Sequence, residues 1–149
     1  MMKTLCSLVL LACILATGQA EYLSQCDVAQ QLQQLGLDGY AGYSLANWVC
    51  MAYHESSFNT DAINYDSNGS ADFGIFQINS RYWCQNGDEY SSNICGIQCS
   101  QLLTNNIAVD VACAKTIVTD SWNGMGAWVA WSTYCQGQDL SGYIAGCNL

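Results

Sequence analysis

The 149-residue sequence is long enough for one domain with its own hydrophobic core, and its charge is strongly unbalanced. Twelve acidic residues stand against three Lys and Arg residues, which gives a formal net charge of −9 at pH 7. Such a chain is a poor partner for nucleic acid or for an anionic membrane surface. The aromatic content of 11% and the low total charge also exclude a disordered acidic tail.

The first twenty residues have the pattern of a secretory signal peptide. Lys3 gives a charged start, residues 5–16 are apolar, and residues 18–20 have the small-x-small form of a cleavage site. We expect residues 1–20 to be removed and residues 21–149 to form one secreted, extracellular domain with a net charge of −10. A membrane anchor is the alternative, but the apolar run is too short to span a bilayer comfortably.

Eight of the ten cysteines lie beyond the expected cleavage point. An even number in an exported chain predicts four disulfides, although the spacing alone allows roughly 100 different pairings. A zinc site is the alternative, and it is weakly supported because the chain has no CxxC pair and only one His. We therefore expect no metal and no cofactor.

The sequence pattern predicts two helices in the first part of the exported chain and two in its last part. Ser24 or Asp27 can cap a first helix, which Gly36 would end, and Ser44 can cap a second helix whose apolar residues recur at helical spacing. Further apolar patterns predict a third helix over 107–118 and a fourth over 127–135.

Residues 62–65 and 71–75 predict a β-hairpin, because they flank the turn sequence at 66–69. Residues 76–78 continue as a third short strand or a loop. The sequence from 86 to 103 is dense in Cys, Asn, Ser and Gly and is typical of loops.

Glu55 is predicted to lie at the margin of the apolar face of the second helix. At about 100° per residue it falls about 60° from Ala52, on the side of Trp48. A carboxyl in this position loses hydration, so its pKa should rise. His54 is predicted to point towards solvent, and Cys50 also lies on that far side, where a disulfide would fix the back of the helix.

Glu55 and Asp72 are two carboxylates in different local surroundings. Such a pair can supply the general acid and the nucleophile that cleave a glycosidic bond. The alternative is two ordinary surface acids.

Three stretches and the cysteine spacing carry a resemblance to a known family. They are Glu55-Ser56 followed by residues 58–60, the segment DFGIFQINSRYWC at 72–84, and AWVAW at 127–131. Together they resemble the c-type lysozymes, the family that also contains α-lactalbumin, over essentially all of residues 21–149. The resemblance implies an α+β, lysozyme-like fold, with a helical lobe, a small antiparallel sheet lobe and a cleft between them.

The resemblance also implies how the cysteines pair and what the chain does. The implied disulfides are Cys26–Cys147, Cys50–Cys135, Cys84–Cys99 and Cys95–Cys113. The implied reaction is hydrolysis of the β-1,4 bonds between N-acetylmuramic acid and N-acetylglucosamine in bacterial peptidoglycan, with retention of configuration.

Site residues follow from the resemblance position by position. Glu55 matches the general acid and Asp72 the nucleophile or charge stabiliser, and Trp128 matches the tryptophan that packs on the acid. Tyr82 and Trp83 are expected to stack on sugar rings. The residues expected to contact substrate are Asn64, Asp66, Gln77, Asn79, Tyr82, Trp83, Asp120, Ala127 and Trp128.

The chain departs from the family pattern at several positions. Asp66 stands where Asn is common, and its negative charge should raise the pKa of Asp72. We therefore expect an acidic working pH, at which Asp66 shares a proton and this charge is reduced. Trp122 lies in a stretch with one extra residue, where sugar contact and surface packing are both open. Of the carboxylates that bind calcium in some relatives only Asp110 is present, so no calcium is expected. Asn68-Gly69-Ser70 is either an N-glycosylation sequon or a plain turn.

The expected function is that of a bacteriolytic, antimicrobial or digestive lysozyme that works in acid. We expect a monomer that acts on peptidoglycan or a chitin-type oligosaccharide and binds neither nucleic acid nor membrane. The alternative is a non-lytic saccharide-binding or gamete-surface recognition protein on the same scaffold. Retention of both Glu55 and Asp72 favours the enzyme.

Overall fold

The computed structural model describes residues 21–149, so the predicted signal peptide lies outside the described residues. Four α-helices and a three-stranded antiparallel sheet form the described chain, which confirms the predicted α+β fold. In chain order these elements are α1 (Gln25–Gln34), α2 (Leu45–Ser56), β1 (Ile63–Tyr65), β2 (Ala71–Phe73), β3 (Ile78–Asn79), α3 (Ala108–Asp120) and α4 (Val129–Tyr134). Short 3-10 helices lie at Tyr40–Gly42, Cys99–Leu102, Gly124–Ala127 and Ser141–Tyr143.

Helix α2 forms the centre of the core, and its boundaries follow from its end residues. It begins after Ser44, as predicted, and ends at Ser57, which has a left-handed φ of 54°. Trp48 on this helix is fully buried. Its ring lies 6.4 Å from the ring of Phe76 and 6.3 Å from that of Trp128, both in edge-on geometry. This aromatic contact joins the helical lobe to the segment that follows β2.

The sheet has the order β1-β2-β3, and its register places Asp72 between two amide side chains. Asp72 pairs with Asn64 on β1 and with Asn79 on β3. Side chains alternate between the two faces of a strand, so Ala71 and Phe73 are buried while Asp72 faces the other side. The β1–β2 hairpin therefore fixes which residues surround this carboxylate.

All four disulfides join the pairs that the resemblance implies. Cys50–Cys135 ties the buried side of α2 to the end of α4. In the described part of the chain, no helix combines the length and the apolar character needed to cross a membrane.

The prediction for His54 is wrong, because this side chain is half-buried rather than directed into solvent. Its Nε2 atom lies 2.9 Å from the hydroxyl of Tyr143, and its ring stacks on Tyr134 with centroids 4.4 Å apart. The Cys50–Cys135 disulfide holds α4 against this side of α2, so the helix is covered on a face that the sequence pattern left polar.

Candidate active site

A cavity of about 230 Å³ lies where α2, β2 and β3 meet the segments around α3 and α4. It contains seven of the eleven residues that were predicted as catalytic or substrate-binding. These seven are Glu55, Asp72, Gln77, Asn79, Trp83, Ala127 and Trp128. The structure thus brings both predicted catalytic carboxylates to one cavity, although they lie on different elements.

Glu55 occupies the last turn of α2, where it is partly buried. Burial raises the pKa of its carboxyl from 4.5 to about 7, and the negative charge of Asp72 adds to this rise. A hydrogen bond from the backbone of Ala130 acts in the opposite direction. The predicted rise in the pKa of Glu55 is confirmed, and near neutral pH a substantial fraction of this group carries a proton.

Asp72 is held by Asn79, its neighbour across the sheet. Burial raises the pKa of Asp72, the hydrogen bond from Asn79 lowers it, and the charge of Asp66 raises it further. The Nδ2 atom of Asn79 donates to Asp72 Oδ1 at 2.8 Å and also lies 3.0 Å from Asp66 Oδ2. One amide therefore bridges both carboxylates, and the predicted effect of Asp66 on the pKa of Asp72 is confirmed in direction.

Gln77 lines the cavity, but its amide is engaged within the protein. Its Nε2 atom donates to the carbonyls of Gly74, at 2.9 Å, and Ala62, at 3.2 Å. Its Oε1 atom accepts a hydrogen bond from Asn64 Nδ2 at 2.7 Å. Gln77 also has a left-handed φ of 50°. These contacts make Gln77 a residue that fixes the loop between β2 and β3, with little of its side chain left for a ligand.

Trp128 forms a buried wall of the cavity. Its Nε1 atom donates to the carbonyl of Phe76 at 2.9 Å, which satisfies the only polar atom of the buried ring. Trp83, by contrast, is only partly buried, and its neighbour Tyr82 is 53% exposed. The cavity therefore has one fixed aromatic wall and one accessible aromatic rim.

Four predicted substrate contacts lie outside the cavity lining. Asn64 and Asp66 reach it through their hydrogen bonds to Gln77 and Asn79. Tyr82 lies beside Trp83 at the rim, and Asp120 lies exposed at the end of α3. Asn64 and Asp66 are thus connected to the cavity lining, whereas substrate contact by Tyr82 and Asp120 stays a prediction.

Some lining residues were missed at the sequence level. They are Ile78, Ile117, Val129 and Ala130. Val129 and Ala130 belong to the AWVAW stretch, so the motif itself could have indicated them. Ile117 could not be found in this way, because its place at the cavity depends on how α3 packs.

Trp122, beside the extra residue, is 95% exposed. A side chain with almost no buried surface contributes nothing through packing. Along the chain it lies between two cavity-lining residues, Ile117 and Ala127. Sugar contact by Trp122 stays a prediction.

Comparison with known proteins gives a consistent result. A sequence model of the C-type lysozyme/alpha-lactalbumin family matches residues 21–147. Lysozyme C, milk isozyme, of Canis lupus familiaris is 57% identical over 127 residues, which cover 85% of this chain and 98% of that protein. Lysozyme C II of Oncorhynchus mykiss is 53% identical over 137 residues, covering 91% and 94%. Recombinant canine milk lysozyme (apo-type) superposes with a TM-score of 0.83 at 55% identity, covering 87% of this chain and 100% of that one.

Proposed function

Because the chain belongs to the C-type lysozyme/alpha-lactalbumin family and is a lysozyme-type glycoside hydrolase, we propose that its substrate is bacterial peptidoglycan. It hydrolyses the β-1,4 bond between N-acetylmuramic acid and N-acetylglucosamine and retains the configuration at the anomeric carbon. The observation that carries the proposal is the pair of carboxyls in one cavity, with the pKa of Glu55 raised to about 7 and Asp72 held by an amide donor.

The proposed mechanism assigns one role to each carboxyl. Protonated Glu55 donates its proton to the glycosidic oxygen as the bond from the anomeric carbon breaks. Ionised Asp72 forms a bond to that carbon or stabilises its positive charge. Glu55, now ionised, takes a proton from the water that attacks next, which restores both groups. The hydrogen bond from Asn79 orients Asp72 and favours its charged form.

Aromatic and polar groups at the cavity edge are proposed to bind the sugar chain. Trp83 and the half-exposed Tyr82 offer ring faces against which pyranose rings can pack. Ala127 contributes its backbone beside Trp128. Asp120 extends the site along the rim.

The working pH is proposed to be acidic. The reaction needs Asp72 ionised and Glu55 protonated, so it is limited at low pH by Asp72 and at high pH by Glu55. Because the pKa of Asp72 is raised, this group becomes protonated in strong acid and activity falls there. Because the pKa of Glu55 is about 7, this group loses its proton near neutral pH and activity falls again. The maximum therefore lies below pH 7.

The net charge supports a digestive or antibacterial role under acidic conditions. With two basic and twelve acidic residues beyond residue 20, the enzyme is repelled by anionic cell walls at neutral pH and low salt. This repulsion weakens as the pH approaches the sequence pI of about 4.1. We propose that residues 1–20 direct secretion and that residues 21–149 act as a monomer, without metal or cofactor.

The proposal is tested by lysis of bacterial walls, followed as loss of turbidity from about pH 3 to about pH 8. Wild-type protein is expected to clear the suspension, and Glu55→Gln is expected to lose almost all of this activity while it still binds saccharide. Saccharide binding by the wild type with no lysis at any pH would refute the enzyme and favour the non-lytic recognition protein.

A further inference from the structure

A second cavity, of about 330 Å³, lies on the sheet lobe and is larger than the active-site cavity. It is formed by the β1–β2 turn and by the loop that follows β3, and we call it the turn cavity. Its lining includes Asn68, Gly69, Arg81, Glu89 and Tyr90. It shares no lining residue with the active-site cavity, so nothing in the hydrolytic mechanism accounts for it.

The sequon Asn68-Gly69-Ser70 lies at the edge of this cavity, and the amide of Asn68 has a defined orientation. The backbone N–H of Ser70 donates to Asn68 Oδ1 at 2.9 Å, and the Ser70 hydroxyl donates to the same atom at 2.7 Å. A backbone N–H can only donate, so its partner must be the oxygen and not the nitrogen. Among the described residues, the Nδ2 atom of the exposed Asn68 has no hydrogen-bond partner in the protein.

The backbone of this turn is also fixed from the cavity side. Arg81 Nη2 donates to the carbonyl of Asn68 at 2.9 Å. Gly69 has a left-handed φ of 87°, and its N–H donates to the carbonyl of Asp66 at 3.1 Å. Asn68 therefore lies in a hydrogen-bonded turn at the edge of the turn cavity.

The walls of the turn cavity match a neutral sugar. Tyr90 is 84% exposed and offers an open ring face for the apolar face of a pyranose. Arg81 supplies donors and Glu89 supplies acceptors, which suit the hydroxyl and acetamido groups of an N-acetylhexosamine. One cation and one anion on the walls give no net charge, which favours a neutral occupant over an ion.

We propose that Asn68 carries an N-linked glycan and that its first N-acetylhexosamine occupies the turn cavity. In the modification, Asn68 Nδ2 attacks the anomeric carbon of a lipid-diphosphate-linked oligosaccharide. The new N–C bond replaces the bond to the phosphate oxygen, the lipid diphosphate leaves, and the amide nitrogen loses one proton. The four disulfides are typical of chains that fold in the oxidising compartment where such donors act.

The folded structure also indicates when the modification occurs. Ser70, the third residue of the sequon, is only 4% exposed, and its hydroxyl also lies 2.9 Å from Asp66 Oδ2. The enzyme that transfers the glycan must contact this hydroxyl to recognise the sequon, so it must act before the hairpin forms. The glycan is then added during synthesis, and its first sugar occupies the turn cavity once the hairpin has formed.

The modification is tested by expressing the full chain in eukaryotic secretory cells and measuring the intact mass before and after peptide N-glycosidase. The wild type and Ser70→Thr, which keeps the sequon, are expected to lose the mass of a glycan. Asn68→Gln is expected to show no glycan at all. A wild-type mass equal to that of the unmodified disulfide-bonded chain would overturn the proposal.

Occupation of the turn cavity is tested by the rate at which the same enzyme releases the glycan from folded protein. Tyr90→Ala should increase this rate about two- to tenfold, because one aromatic contact that shields the sugar is lost. Tyr65→Ala is the matched control, since Tyr65 is also 81% exposed on the sheet lobe but does not line the cavity. Equal rates for the wild type and Tyr90→Ala would refute the seated sugar, even with Asn68 glycosylated.

Discussion

Replacing Glu55 by Gln should remove activity and at the same time stabilise the fold at neutral pH. The two side chains have nearly the same shape, but Gln cannot ionise. Burial raises the pKa of Glu55 from 4.5 to about 7, so the folded state disfavours the charged carboxylate. The substitution removes this unfavourable charge and leaves the core and the four disulfides in place.

The size and the pH window of the effect follow from the two pKa values. Between about pH 4.5 and about pH 7 folded Glu55 keeps a proton that the unfolded chain has lost, so wild-type stability falls as the pH rises through this window. Each pKa unit corresponds to about 1.4 kcal/mol, which gives about 3 kcal/mol as an upper estimate above pH 7. Glu55→Gln should therefore match the wild type near pH 4 and exceed its free energy of unfolding by up to that amount near pH 8.

The assay is denaturant-induced unfolding, with the disulfides intact, at several pH values across this window. Asp61→Asn is the control, because it removes one negative charge from the exposed surface at a residue that lines neither cavity. If Glu55→Gln increased the free energy of unfolding by the same amount at every pH, the proposed effect of burial on Glu55 would be refuted. No increase in the free energy of unfolding near pH 8 would refute it as well. Either result would mean that burial does not hold the carboxyl in its protonated form.

Three further predictions concern Asp66, Trp122 and the calcium-binding position of some relatives. Asp66→Asn should lower the pKa of Asp72, so the acid limb of kcat/KM should move to lower pH; an unchanged limb would contradict the assigned charge effect. Trp122→Ala should raise KM about two- to tenfold for long glycan chains and leave short oligosaccharides unaffected, and equal effects on both would refute a contact at the rim. A chelator should leave Tm unchanged, because Asp110 alone supplies too few ligands for tight calcium binding; a large decrease would contradict this.

The sequence predicts those features that depend on local spacing. Helical periodicity places Glu55 at the edge of the apolar face of α2, and the structure finds it partly buried with a raised pKa. Ser24 and Ser44 precede the first residues of α1 and α2, as predicted. The Ser24 hydroxyl accepts a hydrogen bond from the backbone N–H of Asp27, whereas the Ser44 side chain makes no capping bond. The hairpin is placed correctly because its turn residues have a specific backbone requirement, which Gly69 meets with its positive φ.

Features that depend on register and packing could not be predicted from spacing. The bridge that Asn79 makes between Asp66 and Asp72 requires the register of β2 against β3, which is set by which residues are buried. His54 has a polar position on its helix, yet α4 covers it in three dimensions. The turn cavity depends on a loop, whose path no periodicity describes.

The pH dependence of kcat/KM on a soluble β-1,4-linked N-acetylated oligosaccharide tests the roles of Glu55 and Asp72 most directly, because this quantity reports the pKa values of the free enzyme. We expect a maximum below pH 7 and a fall in kcat/KM centred at about pH 7, where Glu55 loses its proton. A rate that still rises above neutrality, or a profile that Glu55→Gln leaves unchanged, would contradict it.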